Sequence, residues 1–168
     1  MLSSTTGVID FCFTHTSTVN CEINALWLHI TEMKNVNYEL YPIVQMTFPK
    51  DKSEIGSKDV PLETFLFRSI VLLFTFIPID LHYIRLDAVV TGSSFYENSV
   101  TAQHRYWRHR RSLRAVPGEE NSTIVRDEVH FSPRLYLLGY LLLPIYKLVF
   151  ASRHTRLGNY FFSLKTKK

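Results

Sequence analysis

The chain has 168 residues, enough to bury roughly 70% of its unfolded surface, and one domain over residues 1–168 is expected. Its formal charge of +4 is too mild to imply a nucleic-acid partner by itself. Its 12 Phe, 9 Tyr and 2 Trp exceed what a small core needs and hint at an aromatic-lined cavity. Cys12 and Cys21 are the only cysteines, and the opening MLSSTTGVID has neither a basic n-region nor an apolar h-region. Reduced thiols in a cytoplasmic protein are therefore expected.

Ile9 to Thr18 alternates well enough for a first strand, and Ile23, Leu26, Trp27 and Ile30 then fall at helical spacing within 22–33, with Asn20 as the cap. A second short helix or turn ends at Tyr41-Pro42, because the residue before a proline avoids the α region. Ile43 to Phe48 returns to strand, and the charged, aperiodic run 49–59 reads as a surface loop. Thr64 to Ile79 is too short to span a bilayer, carries Arg68 and reads as a buried strand pair. Leu81 to Val90 and Phe95 to Ala102 continue the sheet across a turn at Thr91-Gly92-Ser93-Ser94.

The most informative stretch is 95–131. Pro117-Gly118-Glu119-Glu120-Asn121-Ser122 holds turn-forming residues between two alternating runs, so a β-hairpin is predicted. Trp107, His109, Arg111, Leu113 and Ala115 share the inward face of one strand, and Thr123, Val125, Asp127, Val129 and Phe131 that of the other. Centring the turn near Glu119 sets Arg111 opposite Asp127, while a register one pairing step away sets His109 there. Such a group is either a structural ion pair that fixes register or a polar anchor in an otherwise apolar pocket.

After the hairpin, Ser132-Pro133 looks like a helix start, with Ser as cap and Pro at the first helical position. Pro144 should kink or restart that helix. The spacing 145, 148, 149, 152, 156, 157, 160, 161, 164 predicts one apolar stripe, with Lys147, Arg153, His154 and Lys165 largely off it. The tail Lys165-Thr166-Lys167-Lys168 would suit an anionic membrane surface, leaving membrane contact through the C-terminal helix as an alternative. The layout predicts an α+β fold: a curved antiparallel sheet wrapped around a long C-terminal helix, with short helices after the first strand.

Other chemistries find little footing. His104 and His109 fall on opposite strand faces, and no Cys or carboxylate joins them at ligand spacing, so no metal and no cofactor are expected. The run His104-Arg105-Tyr106-Trp107-Arg108-His109-Arg110-Arg111 interleaves aromatics and cations, yet alternation sends Arg108 and Arg110 outward opposite Glu128. A solvated charged face accounts for it, and no nucleic acid is expected.

The chain also resembles the START-like helix-grip superfamily, the polyketide-cyclase and lipid-transfer group called SRPBCC. The resemblance rests on Leu26-Trp27, Asn37 to Pro42 with Met46 to Pro49, Phe76 to Asp80 and Phe95 to Ser99. It continues through Trp107-Arg108-His109 with Thr123, Val125 and Asp127, and ends in Phe150 to Leu157. It implies an apolar cavity between sheet and C-terminal helix. The expected function is carriage or sensing of a hydrophobic small molecule or lipid there, with Trp107, His109, Arg111, Asp127, Phe131, Leu148 and Ser152 as ligand-binding candidates. The alternative is a cyclase- or dehydratase-type enzyme in which His109 is a general base and Arg111 stabilises an enolate, with Asp127 the third candidate. Oligomeric state is not legible.

Overall fold

The structure, a computed structural model, describes residues 10–57 and 59–166. Ile9, the opening segment and Lys167-Lys168 of the basic tail lie outside the described residues. Alternating burial marks the first strand, β1 (Phe11–Val19), with Phe11, Phe13 and Val19 inward. The chain then forms α1 (Ile23–Thr31) and α2 (Met33–Leu40), broken at Glu32, whose backbone is extended. Glu22, not Asn20, caps α1: its carboxylate accepts the Asn24 N–H at 3.2 Å, while Asn20 remains in the bend after β1. Two residues separate Asn20 from the first helical residue, so its side chain is out of register with the free amides.

Strand β2 (Val44–Met46) is shorter than predicted, and a 3₁₀ turn (Lys50–Lys52) sits inside the surface loop. A meander follows: β3 (Phe65–Leu73), β4 (Ile77–Val90), β5 (Ser94–Thr101), β6 (His104–Ala115) and β7 (Thr123–Pro133). The pair expected within Thr64 to Ile79 is one strand and the start of the next, since β4 runs unbroken through Ile79-Asp80-Leu81. The seven strands among the described residues form one sheet in the order β1-β7-β6-β5-β4-β3-β2, antiparallel throughout. Register shifts near Phe65/Phe67, Val71/Leu72, Leu86/Ala88 and His104/Tyr106 tighten the local twist, and the sheet curls.

Helix α3 (Tyr136–Lys165) packs against β1, β7 and α2 within that curl. This is the predicted helix-grip α+β architecture. Ser132 and Pro133 do not start the helix; they close β7, because Pro133 pairs with His104 and Arg134 N–H bonds to Gln103 O at 2.9 Å. Pro144 lies inside α3, which continues through it as one helix. The inward face of α3 is also rotated from the predicted stripe. Val149, Phe150, Arg153, His154, Leu157 and Phe161 are buried, whereas Ile145, Leu148 and Leu164 are exposed. Hydrophobicity alone mis-set the face because two inward positions, Arg153 and His154, are held by hydrogen bonds to buried carboxylates.

Among the described residues the core falls into three apolar groups rather than one. Leu26, Ile30, Leu86, Val125 and Leu157 pack beneath α1, and Phe11, Phe13, Val129, Phe131 and Phe150 pack where β1 and β7 meet α3. Met33, Val36, Leu40, Phe67, Ile84 and Val149 form the third, beneath α2. Gly139 is where α3 meets β1, since a Cβ there would strike the Phe11 ring, while a Cβ on Gly158 would meet nothing within 4 Å. Gly139→Ala is therefore expected to destabilise the fold by about 1–3 kcal/mol through forced repacking. Gly158→Ala is expected to stabilise it by about 0.5–1 kcal/mol through helix propensity. Urea unfolding of both variants checks the opposite signs.

Candidate functional site

Of the two registers the sequence allows, the hairpin takes the one that pairs Arg111 with Asp127. Alternation then buries both, at 0% exposure, on the concave side of the sheet. The guanidinium meets the carboxylate side-on, Nε to Oδ1 and Nη2 to Oδ2, each at 2.7 Å. Arg111 Nη1 donates to Glu39 Oε2 of α2 at 2.9 Å, and Arg153 Nε of α3 donates to the same oxygen at 2.6 Å. Two arginines and two carboxylates thus form a charge-neutral quartet spanning β6, β7, α2 and α3.

Asp127 also receives His109 Nε2 at 2.9 Å and His154 Nε2 at 2.8 Å. A carboxylate only accepts, so both histidines carry their Nε2 proton. His154 Nδ1 then accepts from the Ser17 hydroxyl at 2.6 Å, the bonding of a neutral imidazole. From His109 the polar chain runs on to β5 and β4: His109 Nδ1 lies 3.7 Å from Glu97 Oε2, and His82 Nε2 lies 2.8 Å from Glu97 Oε1. That last contact is off the angles of a hydrogen bond.

Burial works against charge throughout, and the partners decide the outcome. Asp127 and Glu39 are held below the usual carboxylate range because the arginines outweigh burial. Burial likewise opposes ionisation of Glu97, but His82 and His109 outweigh it and hold this carboxyl low. For His154 and His29 burial wins over their carboxylate neighbours and pushes both below the ordinary histidine value.

Beside this chain lies a cavity of about 350 Å³ between the sheet's inner face and α3. Its wall is mostly apolar, including Met33, Val36, Phe67, Ile84, Trp107 and Val149. The polar remainder is concentrated in His82, Glu97, His104, His109, Asp80 and Arg153. Of the sequence-predicted residues, Trp107 and His109 line it. Arg111 and Asp127 sit behind its wall, fully buried in the quartet.

Phe131 is also fully buried, stacked with Phe11 at 5.5 Å and edge-on to Tyr146 at 5.1 Å. Leu148 faces outward at 64% exposure, and Ser152 is half-buried off the lining, both consequences of the rotated helix face. Sequence reading missed Glu39, His82, Glu97, Arg153 and His154. Period-two alternation from Phe95 would have turned Glu97 inward, and from Leu86 would have turned His82 inward. Nothing local marks Glu39 or Arg153. Among the described residues, no group of three or more His, Cys, Asp or Glu is placed to hold a metal ion.

Solved structures place this geometry in a class. A START superfamily protein from Mycobacterium smegmatis superposes with a TM-score of 0.63 at 9% identity, over 91% of this chain and 98% of that one. A norcoclaurine synthase point mutant from Thalictrum flavum, in complex with a transition-state analogue, gives 0.65 at 9% identity, over 96% and 99%. Ara h 8.0201 gives 0.57 at 13% identity, over 92% and 99%. The fold is that of the START-like helix-grip proteins, as the sequence resemblance implied.

Residues 17–161 match the family model described as a domain of unknown function (DUF8410), and the chain belongs to that family. Comparison with curated proteins finds no match. No helix among the described residues is long and apolar enough to cross a membrane.

Asp127→Asn leaves Arg111 buried without its counter-charge and is expected to destabilise the fold by about 3–5 kcal/mol, measured by denaturant unfolding. Acid should act on the same network in two stages. Buried His154 and His29 resist the protons that the unfolded chain takes up around pH 6.5, so stability falls as pH drops through that value. The depressed carboxylates of Asp127 and Glu39 add a second loss below the ordinary carboxylate range. A melting temperature flat from pH 7.5 to 5 would contradict the histidine stage, and His154→Gln should make that stage shallower.

Proposed function

We propose that the protein binds a hydrophobic small molecule or lipid in the cavity between the sheet and α3, as a carrier or sensor. The observation that carries this reading is the lining itself. Apolar side chains make most of the wall of a cavity of about 350 Å³, at the lower end of small-molecule sites, and a few ionisable groups interrupt it. That pattern gives an apolar body its burial and a polar end its orientation. The helix-grip class of the fold supports it. Cyclase or dehydratase chemistry as drawn from the sequence has less support, since His109 Nε2 is committed to Asp127 and Arg111 lies behind the wall.

Organic extraction of the purified protein followed by mass spectrometry is expected to release an apolar compound. Fatty or aromatic compounds should raise the melting temperature of the emptied protein, and Ile84→Trp, which fills the cavity, should abolish that rise. An empty protein with no thermal shift overturns the reading.

Contact with a lipid surface is a second reading, on a separate observation. Leu137, Leu141, Ile145 and Leu148 form an exposed apolar stripe on α3, and Phe74 and Phe76 are exposed at the β3–β4 turn. Leu142 and Ile145 on the helix, and Leu73 and Ile79 flanking that turn, line the cavity. Phe74 and Thr75 hold φ of 50° and 71°, a conformation unfavourable for both residue types. Flotation with phosphatidylserine-containing liposomes should carry the protein upward, and Leu141→Asp with Leu148→Asp should prevent it without lowering the melting temperature. Failure of the unaltered protein to float dismisses this contact.

A further inference from the structure

The polar chain crossing the core begins and ends on the cavity wall, and each end has bonding capacity left over. At the β5 end, Glu97 Oε1 accepts the Ser99 hydroxyl at 2.7 Å and faces His82 at 2.8 Å. Glu97 Oε2 has no donor, among the described residues, nearer than His109 Nδ1 at 3.7 Å. A carboxylate oxygen held ionised at an apolar wall lacks a hydrogen bond it would have in water, a costly omission.

At the other end, Arg153 is only 5% exposed and lines the cavity. Its Nε donates to Glu39, and its two terminal nitrogens make no hydrogen bond among the described residues. A guanidinium carries five N–H donors, so most of this one's capacity is unused. Between these ends Asp127 and Arg111 have partners on every polar side, while Glu39 uses only Oε2 and its buried Oε1 makes no hydrogen bond among the described residues. The unmet groups of Glu97 and Arg153 belong to residues that line the cavity.

Building on the ligand-binding reading above, we propose that Glu97 and Arg153 form a two-point polar subsite for a neutral hydroxylated ketone of two or three rings. Its hydroxyl donates to Glu97 Oε2 and its carbonyl accepts from Arg153, while the rings fill the apolar remainder against Trp107, Phe67 and Ile84. A neutral ligand fits the charge already present. The positive charge of Arg153 is balanced by Glu39, and the wall holds the carboxylates of Asp80 and Glu97 as well, so an added carboxylate meets groups of its own sign. An added ammonium group meets Arg153. A plain hydrocarbon leaves both ends unbonded.

A matched probe series tests this by titration calorimetry: 4-hydroxybenzophenone, 4-methoxybenzophenone and 4-carboxybenzophenone. The hydroxyketone should bind about tenfold or more tightly than its methyl ether, the scale of one hydrogen bond to a charged acceptor. The carboxylate should bind weakest. Glu97→Gln, which keeps side-chain shape, should shrink the hydroxyl-to-ether ratio to about threefold or less. Arg153→Met should weaken hydroxyketone and ether alike and leave their ratio in place.

Equal affinity of hydroxyketone and ether for the unaltered protein overturns the subsite, and so does a ratio that survives Glu97→Gln. The first comparison needs no variant to fold. Nile red, neutral and without a hydroxyl, separates the two levels of the argument. If it binds and Ile84→Trp excludes it, the cavity reading stands, and equal benzophenone affinities or no benzophenone binding remove the subsite alone. If neither Nile red nor any benzophenone binds, the cavity reading falls and takes the subsite with it.

Discussion

Arg111 is the side chain the rest of the molecule is arranged around. It is fully buried and always charged, and such a group survives in a protein interior only if counter-charge and hydrogen bonds meet it on every side. Asp127 supplies two of those bonds from the neighbouring strand and Glu39 a third from α2. Each carboxylate, once buried, needs further donors: Asp127 recruits His109 and His154, and Glu39 recruits Arg153. A single buried cation therefore dictates the placement of partners on four separate elements.

The consequence for α3 is direct. Arg153 and His154 are polar residues that amphipathic reasoning sends to solvent, yet both face inward, bonded to Glu39 and Asp127. Turning the helix to make those bonds swings Ile145 and Leu148 outward and brings Val149, Phe150 and Leu157 onto the sheet. Apolar burial at Leu148 would be worth only about 1.5–3 kcal/mol, less than leaving buried carboxylates unpaired would cost. The electrostatic requirement outweighs the hydrophobic one, and the exposed stripe follows.

The same network shapes the cavity. Polar groups locked to one another cannot collapse onto a void as flexible aliphatic side chains would, and the quartet ties α2 and α3 to β6 and β7. The Met33 and Phe131 groups accordingly pack as separate clusters, with residues of both the α2 region and the middle of α3 left to line the space. Rigidity of that kind suits a binding site, because groups aimed at a ligand need no reordering when it arrives.

Much of this was legible along the chain. Alternation about the 117–122 turn determined the β6–β7 hairpin and the inward direction of His109, Arg111 and Asp127, because side-chain direction in a strand follows a period of two. It left two registers, of which the tertiary structure takes the one that pairs Arg111 with Asp127. The order of short helices, meander and long final helix determined the helix-grip class. The sequence could not decide which face of α3 turns inward, or that Glu39 and Arg153 belong to the site. Glu39 lies 72 residues from Arg111 and 114 from Arg153, so nothing local couples them. Their meeting is a property of the closed fold, in which desolvation makes distant charges seek one another and overrides the hydrophobic pattern that local spacing records.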